Sequence, residues 1–487
     1  MVYCNFLIIT YNSSQQLITK GELHMNTTES LYEELRHSLK DHQISNNETL
    51  IEQHSHDESY HHPSAPDLIV FPESTEDVEA IVKIANAYDK PVVPYGLGTS
   101  LEGHVIPYDH GITIDFSQMN QVLEVRESDF LVKVQPGVTR SQLNKELKKY
   151  GLFFSVDPGA DATLGGMAAT NASGTTSVKY GVMRDQVRDL EIVLADGEVI
   201  HTGNLAQKSA SGYNLNSLFV GSEGTLGCIT ELTLRVYGIP EHITAARASF
   251  PTVDDAVEAV VSILQAGVPI ARVELVDEPS MKQANLFSET NYKEQPTLFL
   301  EFHGNEPGLK HDVEFTQEIV RDHQCEEIYF EDDNAARNRL WEARHNLAYA
   351  FVHGYPGKKL MVTDVCVPIS ELAGAIKHAR EKVNELALHG GIVGHVGDGN
   401  YHILLMMDMD NPEEVNKAEQ LNEQIVQYAL ARGGTCTGEH GVGIGKMKYQ
   451  EKEHGNALQV MEKIKRALDP NGRFNPYKLV HKREENK

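Results

Sequence analysis

Glycine placement constrains this chain more than any other feature. Between Gly159 and Gly227 glycines are dense, and they fall at the ends of short strand-like runs. Another glycine-rich loop, PYGLGTSLEGH over 94–104, closes the strand-like PVVPYG. Glycine lets backbone N–H groups approach an oxygen-rich ligand, and consecutive N–H groups form an anion nest. DPGADATLGGMAATN (157–171), Tyr180-Gly181 and GSEGTLG (221–227) extend the pattern. Their small residues let backbone lie flat against a large planar ligand. Taken singly, each loop reads equally as a tight strand-to-helix turn. No Rossmann fingerprint is present, because Leu101 stands where Gly96-x-Gly98 would need its third glycine. A Walker loop is also excluded: Met447 follows Gly445-Lys446, and His440 occupies the place of the first glycine.

Around these loops the pattern predicts three parts: an N-terminal extension and helix over 1–62, a domain over 63–240, and a second over 241–487. Ser30 and Glu33 have capping-box spacing ahead of a Leu31, Leu35, Leu39 stripe. The His-rich HSHDESYHH (54–62) reads as a solvated loop, with a metal tract as the alternative. DLIVFP, PVVPYG and GITIDF read as strands, STEDVEAIVKIANAYDK as a capped helix, and β-α-β units continue to about Pro240. Beyond Glu241 the texture is α+β.

A formal net charge of -27 disfavours nucleic acid and anionic membrane surfaces as partners. It reads first as solubility, and second as an acidic docking face for a basic electron carrier. The five cysteines are scattered and form no CxxC pair, which fits a reducing compartment. No apolar run reaches the roughly 18 residues of a bilayer span. The apolar Phe6 to Thr10 lacks the flanks of a signal peptide, and the first 24 residues read as an upstream extension before Met25.

HVGDGNYH (395–402) is the most informative segment. Strand-like runs enter and leave it, and Gly397-Asp398-Gly399 can turn between them, so His395 and His402 come near one another. Glu439, flanked by Gly438 and His440-Gly441, supplies a third ligand. His395, His402 and Glu439 form a His₂Glu set with an open position, as in a catalytic metal site, with Asp398 and Asn400 as turn and supporting groups. A 2-hydroxy acid can chelate such a cation, and neighbouring His440 has a suitable reference pKa to take the hydroxyl proton. Arg344, on the helix-like WEAR, offers a fork suited to a carboxylate, and Lys359 a second cation; each also reads as a surface charge.

The loops at 94–104, 157–174 and 221–227 resemble the FAD-binding domain of the vanillyl-alcohol oxidase and p-cresol methylhydroxylase superfamily. WEAR (341–344), Lys359 with TDVCVP (363–368), HVGDGNYH, GTCTGEHGVGIGK (434–446) and LDPNGRFNP (468–476) resemble the C-terminal domain of FAD-linked D-lactate dehydrogenases, glycolate oxidase subunits and D-2-hydroxyglutarate dehydrogenases. The resemblance spans roughly 63–479 and implies an α+β protein, a two-subdomain FAD-binding domain followed by a cap domain. It implies a pyrophosphate site at Pro94, Gly96, Gly98, Thr99, Ser100, Gly103 and His104. It places Pro158, Gly159, Thr163, Gly165, Gly166, Ala169, Thr170, Gly174, Gly181, Glu223, Gly224 and Ile229 along the flavin ring and ribityl chain, with FAD held non-covalently. It also assigns substrate to Arg344 and Lys359, a divalent metal (Zn or Mn) to His395, His402 and Glu439, and the base to His440.

Hydride transfer from a small D-2-hydroxy acid, D-lactate first, to flavin N5 is the implied reaction. The electrons would pass to a quinone, cytochrome or electron-transfer protein. Hydroxyglutarate-type relatives carry Asn where Leu404 stands, and Ala348 is likewise apolar, so a small apolar substituent is expected on the substrate. A glycolate oxidase subunit, a D-2-hydroxyglutarate dehydrogenase and, from another class, a metallohydrolase are the alternatives. The expected setting is cytoplasmic, peripheral at the inner face of a membrane, with a homodimer as the assembly to test.

Overall fold

The computed structural model describes residues 29–480, so the expectations for the first 24 residues lie outside it. Three sheets organise it. In the first, Ile44–Ser45 pairs antiparallel with Leu68–Val70, which lies parallel to Ile112–Asp115, itself parallel to Val92–Tyr95. The connecting helix Thr75–Ala87 begins where the Ser74 side chain accepts from the Asp77 N–H, as its capped start predicts, and buries Val78, Ile81, Val82 and Ala85. Leu31, Leu35 and Leu39 are buried against this sheet, so the predicted stripe holds. The helix already runs through Ser30, so that residue does not cap it.

The second sheet corrects an expectation. Its order is Val122–Arg126, Leu131–Val134, Cys228–Arg235, Val187–Val193, Val199–His201, and every pairing is antiparallel. The β-α-β reading thus ends near residue 115. The physical reason is connection length: 126 to 131 and 193 to 199 are hairpin distances, whereas a parallel crossover needs about a dozen residues or more. The two sheets are the subdomains of the first lobe.

The third sheet carries the second lobe. Its antiparallel order is Glu327–Glu331, His242–Ser249, Thr297–Gly304, Ile270–Val276, His389–His395, Asn400–Met407, Lys359–Val362, with Val365–Cys366 also paired to Asn400–Met407. Helices Val253–Gln265, Leu372–Glu385 and Pro412–Leu430 bury apolar faces against it.

Chain after the third sheet returns to the first lobe. Ile464 and Leu468 of helix Asn456–Leu468 pack on the second-sheet core. Phe474 bridges Val92 and is buried in the first-sheet core, which contributes about 1.5–3 kcal/mol for a side chain of this kind. Asp469 fixes that turn by accepting from the Arg473 and Phe474 N–H groups at 3.0 and 2.8 Å. The C-terminal end of the 241–487 segment therefore packs with the 63–240 segment.

Residues 54–62 are not the expected solvated loop. His54, Ser55, Asp57 and Ser59 are buried. His54 Nε2 lies 2.8 Å from Asp115 Oδ2 at the end of the first sheet, and Asp57 Oδ2 accepts from Ser100 Oγ at 2.9 Å. Composition suggested solvent because the segment is polar; specific partners make its burial affordable.

A flavin cleft beside a histidine–glutamate site

The glycine loops converge. A Cβ on Gly96 would sit 2.5 Å from Thr163 Oγ1, and one on Gly224 would sit 3.0 Å from Pro94 Cγ. The first loop thus touches both later ones, which nothing in their spacing reveals. Pro94, Gly96, Gly98, Thr99 and Ser100 are half-buried, whereas Gly103 and His104 lie buried beneath. In the second loop Pro158 is half-buried and Gly159 exposed. Thr163 caps the short helix Leu164–Thr170, whose buried side is Leu164, Gly165, Met167 and Ala168. Its open side is Gly166, Ala169 and Thr170, where nothing is larger than threonine. Gly174 is packed against the Asp157 backbone and Gly181 against Asp185.

This cradle suits a flat, phosphate-bearing group such as FAD. Gly98 has φ +66°, and a Cβ there would meet Tyr95 Oη at 2.3 Å. Gly98→Asp adds strain, a clash and a negative charge at the nest. It is expected to yield folded protein without the 450 nm flavin band; a fully yellow variant would contradict this use of the loop.

Two residues expected at the cofactor are occupied otherwise. The Glu223 carboxylate accepts from the Val442 and Gly443 N–H groups at 2.7 and 2.8 Å and faces His104 Nε2 at 3.4 Å. It ties the 441–443 loop to the first lobe. Burial opposes this carboxylate's charge, but His104 and the two N–H groups outweigh it and hold its pKa below the usual range. Ile229 is buried in the second-sheet core, with its backbone paired to Ile192.

The second-lobe site forms as its spacing predicts. Strands 389–395 and 400–407 pair His395 with Asn400 across the turn, and the His395 and His402 ring centroids are 5.4 Å apart. Both Nε2 atoms lie 3.1 Å from Glu439 Oε1. One ligand atom from each of the three residues lies within 4.8 Å of the other two. His395 Nδ1 is 2.6 Å from Glu274 Oε1, and His402 Nδ1 is 3.1 Å from the Thr363 carbonyl. With both Nδ1 atoms bound elsewhere, both Nε2 atoms face inward, and once the proton shared by His395 and Glu439 is displaced they complete the donor set a divalent cation requires. Burial disfavours charge on His395, but Glu274 and Glu439 outweigh it and hold its pKa well above the ordinary value. Burial likewise opposes the Glu439 charge, and His395 and His402 outweigh it.

Glycine flanks let the chain reach this point. A Cβ on Gly438 would meet Asn400 Nδ2 at 2.1 Å, and one on Gly441 would meet His104 Nε2 at 2.6 Å. His440 stacks on His402 at 5.0 Å between centroids and 13° between planes, and its Nδ1 has no partner among the described residues. Burial, helped by nearby His402, pushes its pKa down to about 4, so it is neutral at neutral pH.

Several supporting residues were not singled out from the sequence. Asp364 Oδ2 accepts from the Gly438, Glu439 and His440 N–H groups and the Thr437 hydroxyl at 2.6–3.0 Å. Asn400 donates to Asp364 Oδ1 at 2.7 Å, which gives it the supporting role expected. Ser173, from the first lobe, donates to Glu439 Oε2 at 2.8 Å. Arg272 links Asp157 of the first lobe to Glu301 of the second at 3.2 and 3.5 Å. The available signal was Arg272 and Glu274 at i and i+2 in ARVELVD, two charges on one face of an otherwise apolar strand.

Arg344 is buried, not a surface charge, and Nη2 donates to Glu274 Oε2 at 2.7 Å. Its Nε is buried without a partner among the described residues. Lys359 is exposed; its ammonium donates to the Ser59 carbonyl at 2.9 Å, and the residue stands opposite Met407, five positions beyond His402. The structure therefore brings Arg344 to the site through Glu274 but leaves Lys359 on the 54–62 segment.

Comparison with known proteins places the chain in a family. Residues 66–203 match the FAD binding domain family and residues 239–479 match FAD linked oxidases, C-terminal domain. The chain is 48% identical to probable D-lactate dehydrogenase, mitochondrial, of Danio rerio, covering 88% of this chain and 87% of that one. It is 42% identical to D-lactate dehydrogenase [cytochrome], mitochondrial, of Arabidopsis thaliana, over 96% and 82%. Glycolate oxidase subunit GlcD of Bacillus subtilis is 32% identical over 88% and 92%. Among solved structures, p-cresol methylhydroxylase with substrate bound has a TM-score of 0.77 at 16% identity over 93% and 96%, a likeness of fold. The chain belongs to the FAD-linked oxidases of the D-lactate dehydrogenase and glycolate oxidase subunit family, built on the p-cresol methylhydroxylase fold.

Proposed function

We propose that this enzyme oxidises D-lactate to the 2-oxo acid, using a divalent cation at His395, His402 and Glu439 and His440 as the base. The observation that carries the site assignment is the stacking of His440, its Nδ1 without a partner among the described residues, on His402, beside three converging ligand atoms. The relatives named D-lactate dehydrogenase support the substrate. When bound, FAD supplies the two-electron acceptor for the substrate Cα hydrogen, and the cation, Zn or Mn, lowers the hydroxyl pKa. The chain supplies the rest. Arg344 offers its unpartnered Nε to the substrate carboxylate while Glu274 fixes the guanidinium through Nη2. Lys359 is retained as a second carboxylate partner, which requires its ammonium to leave the Ser59 carbonyl. His440 takes the hydroxyl proton on its ring nitrogen.

No helix of the described residues is long and apolar enough to cross a membrane. The Arabidopsis relative's name points to a cytochrome as electron acceptor, and both relatives' names to mitochondria. A peripheral enzyme beside an electron-accepting membrane fits those names. The match of both halves to flavin-linked families sets the metallohydrolase alternative aside.

Leu404 lies on the face of its strand that carries His402 and shares a core with Trp341 of the Arg344 helix and with Leu347 and Phe351 of helix Leu347–Gly354. A second substrate carboxylate here would be desolvated without a partner, costing several kcal/mol. D-lactate is therefore expected to exceed D-2-hydroxyglutarate in kcat/KM by about a thousandfold, at about 1.4 kcal/mol per factor of ten. Leu404→Asn should narrow that gap. A wild-type preference for hydroxyglutarate would refute the pocket.

A further inference from the structure

We infer that Glu274 is a positioning residue that joins the metal ligand and the substrate-binding arginine through one carboxylate. It is fully buried on strand Ile270–Val276. Oε1 lies 2.6 Å from His395 Nδ1, and Oε2 accepts from Arg344 Nη2 at 2.7 Å. Each oxygen thus holds a different functional group.

The two bonds do different things. The first keeps a proton on His395 Nδ1 and fixes the ring plane, so that Nε2 is the nitrogen turned to the metal position beside Glu439. The second fixes one edge of a planar guanidinium and so the direction of its remaining donors, including the unpartnered Nε. Arg272, two residues away on the same face, holds the strand against the first lobe through Asp157. The strand thereby sets the site's position relative to the flavin loops. A carboxamide cannot replace this carboxylate: one end of Gln accepts, and the other presents N–H groups toward a neighbour that must itself donate.

The inference rests on the metal and substrate assignments proposed above, and the test separates the two. Metal affinity is measured by competing a chelator for Zn²⁺ or Mn²⁺ on FAD-loaded protein without substrate, and KM and kcat for D-lactate are measured on metal-saturated enzyme. Glu274→Gln is expected to weaken metal binding about 10- to 100-fold and to raise KM at saturating metal, with flavin content unchanged. Glu274→Asp keeps the charge, so folding does not depend on burying an unpaired arginine; its shorter arm cannot span both partners, and at least one of the two readouts should move. Arg344→Lys should raise KM and leave metal affinity as in wild type. Wild-type metal binding that is unchanged in both Glu274 variants overturns this inference alone. A shift in melting temperature without change in either readout does the same. Failure of the wild type to bind metal overturns the assignment and the inference together.

Discussion

Glu439→Gln is expected to lower D-lactate turnover by about a thousandfold or more while FAD stays bound. The size follows from what a cation contributes: Lewis-acid stabilisation of several kcal/mol, with each 1.36 kcal/mol worth about tenfold in rate. Glu439 is the shared neighbour of both imidazoles, with Oε1 at 3.1 Å from each Nε2. Ser173 holds the other oxygen at 2.8 Å, so the side chain cannot turn away without losing that bond. The amide removes the anionic ligand and aims a donor or a weaker acceptor at the cation. Prolonged dialysis against a chelator should reproduce the defect in the wild type, and Zn²⁺ or Mn²⁺ should restore the wild type but not the variant. Metal-free wild type with full turnover would remove the cation from the mechanism.

His440→Ala is expected to lower kcat by about 10²–10⁴, the usual span for a positioned general base. Metal content and KM should change little, because His440 is not one of the three converging ligands and its ring rests on His402. Its backbone is held independently of its side chain, by the N–H bond to Asp364 at 3.0 Å, so the loop should keep its place. A variant that keeps more than about a tenth of wild-type kcat would move the base elsewhere.

Much of this site was legible because it is local. His395 and His402 are brought together by a hairpin whose turn, GDG, stands in the sequence between them. Glu439 needed one long-range step, and its glycine flanks marked it as a place of close approach. The helix at 75–87 was legible from its cap and apolar period. What could not be read depends on tertiary neighbours. Asp364 holds three consecutive N–H groups some 75 residues away, and no pattern announces that. The antiparallel second sheet was hidden because short apolar runs do not encode their partners' direction. The 54–62 segment misled for the opposite reason: the His54 and Asp57 side chains are satisfied by Asp115 and Ser100 and the Ser59 carbonyl by Lys359, all distant in sequence. Glu223 and Arg344 show the same limit. Both were singled out from the sequence, but not that each would be held by charges or N–H groups from another segment.

The most direct test of the account is one anaerobic mixing experiment. Purified, metal-replete enzyme is mixed with D-lactate or L-lactate without an electron acceptor, and the 450 nm absorbance is followed. The account predicts rapid bleaching of the full flavin band by D-lactate and little by L-lactate, because a carboxylate grip, a hydroxyl grip and a fixed flavin face distinguish the two hands. Equal bleaching by both enantiomers, or none by D-lactate in yellow, metal-replete protein, would contradict it.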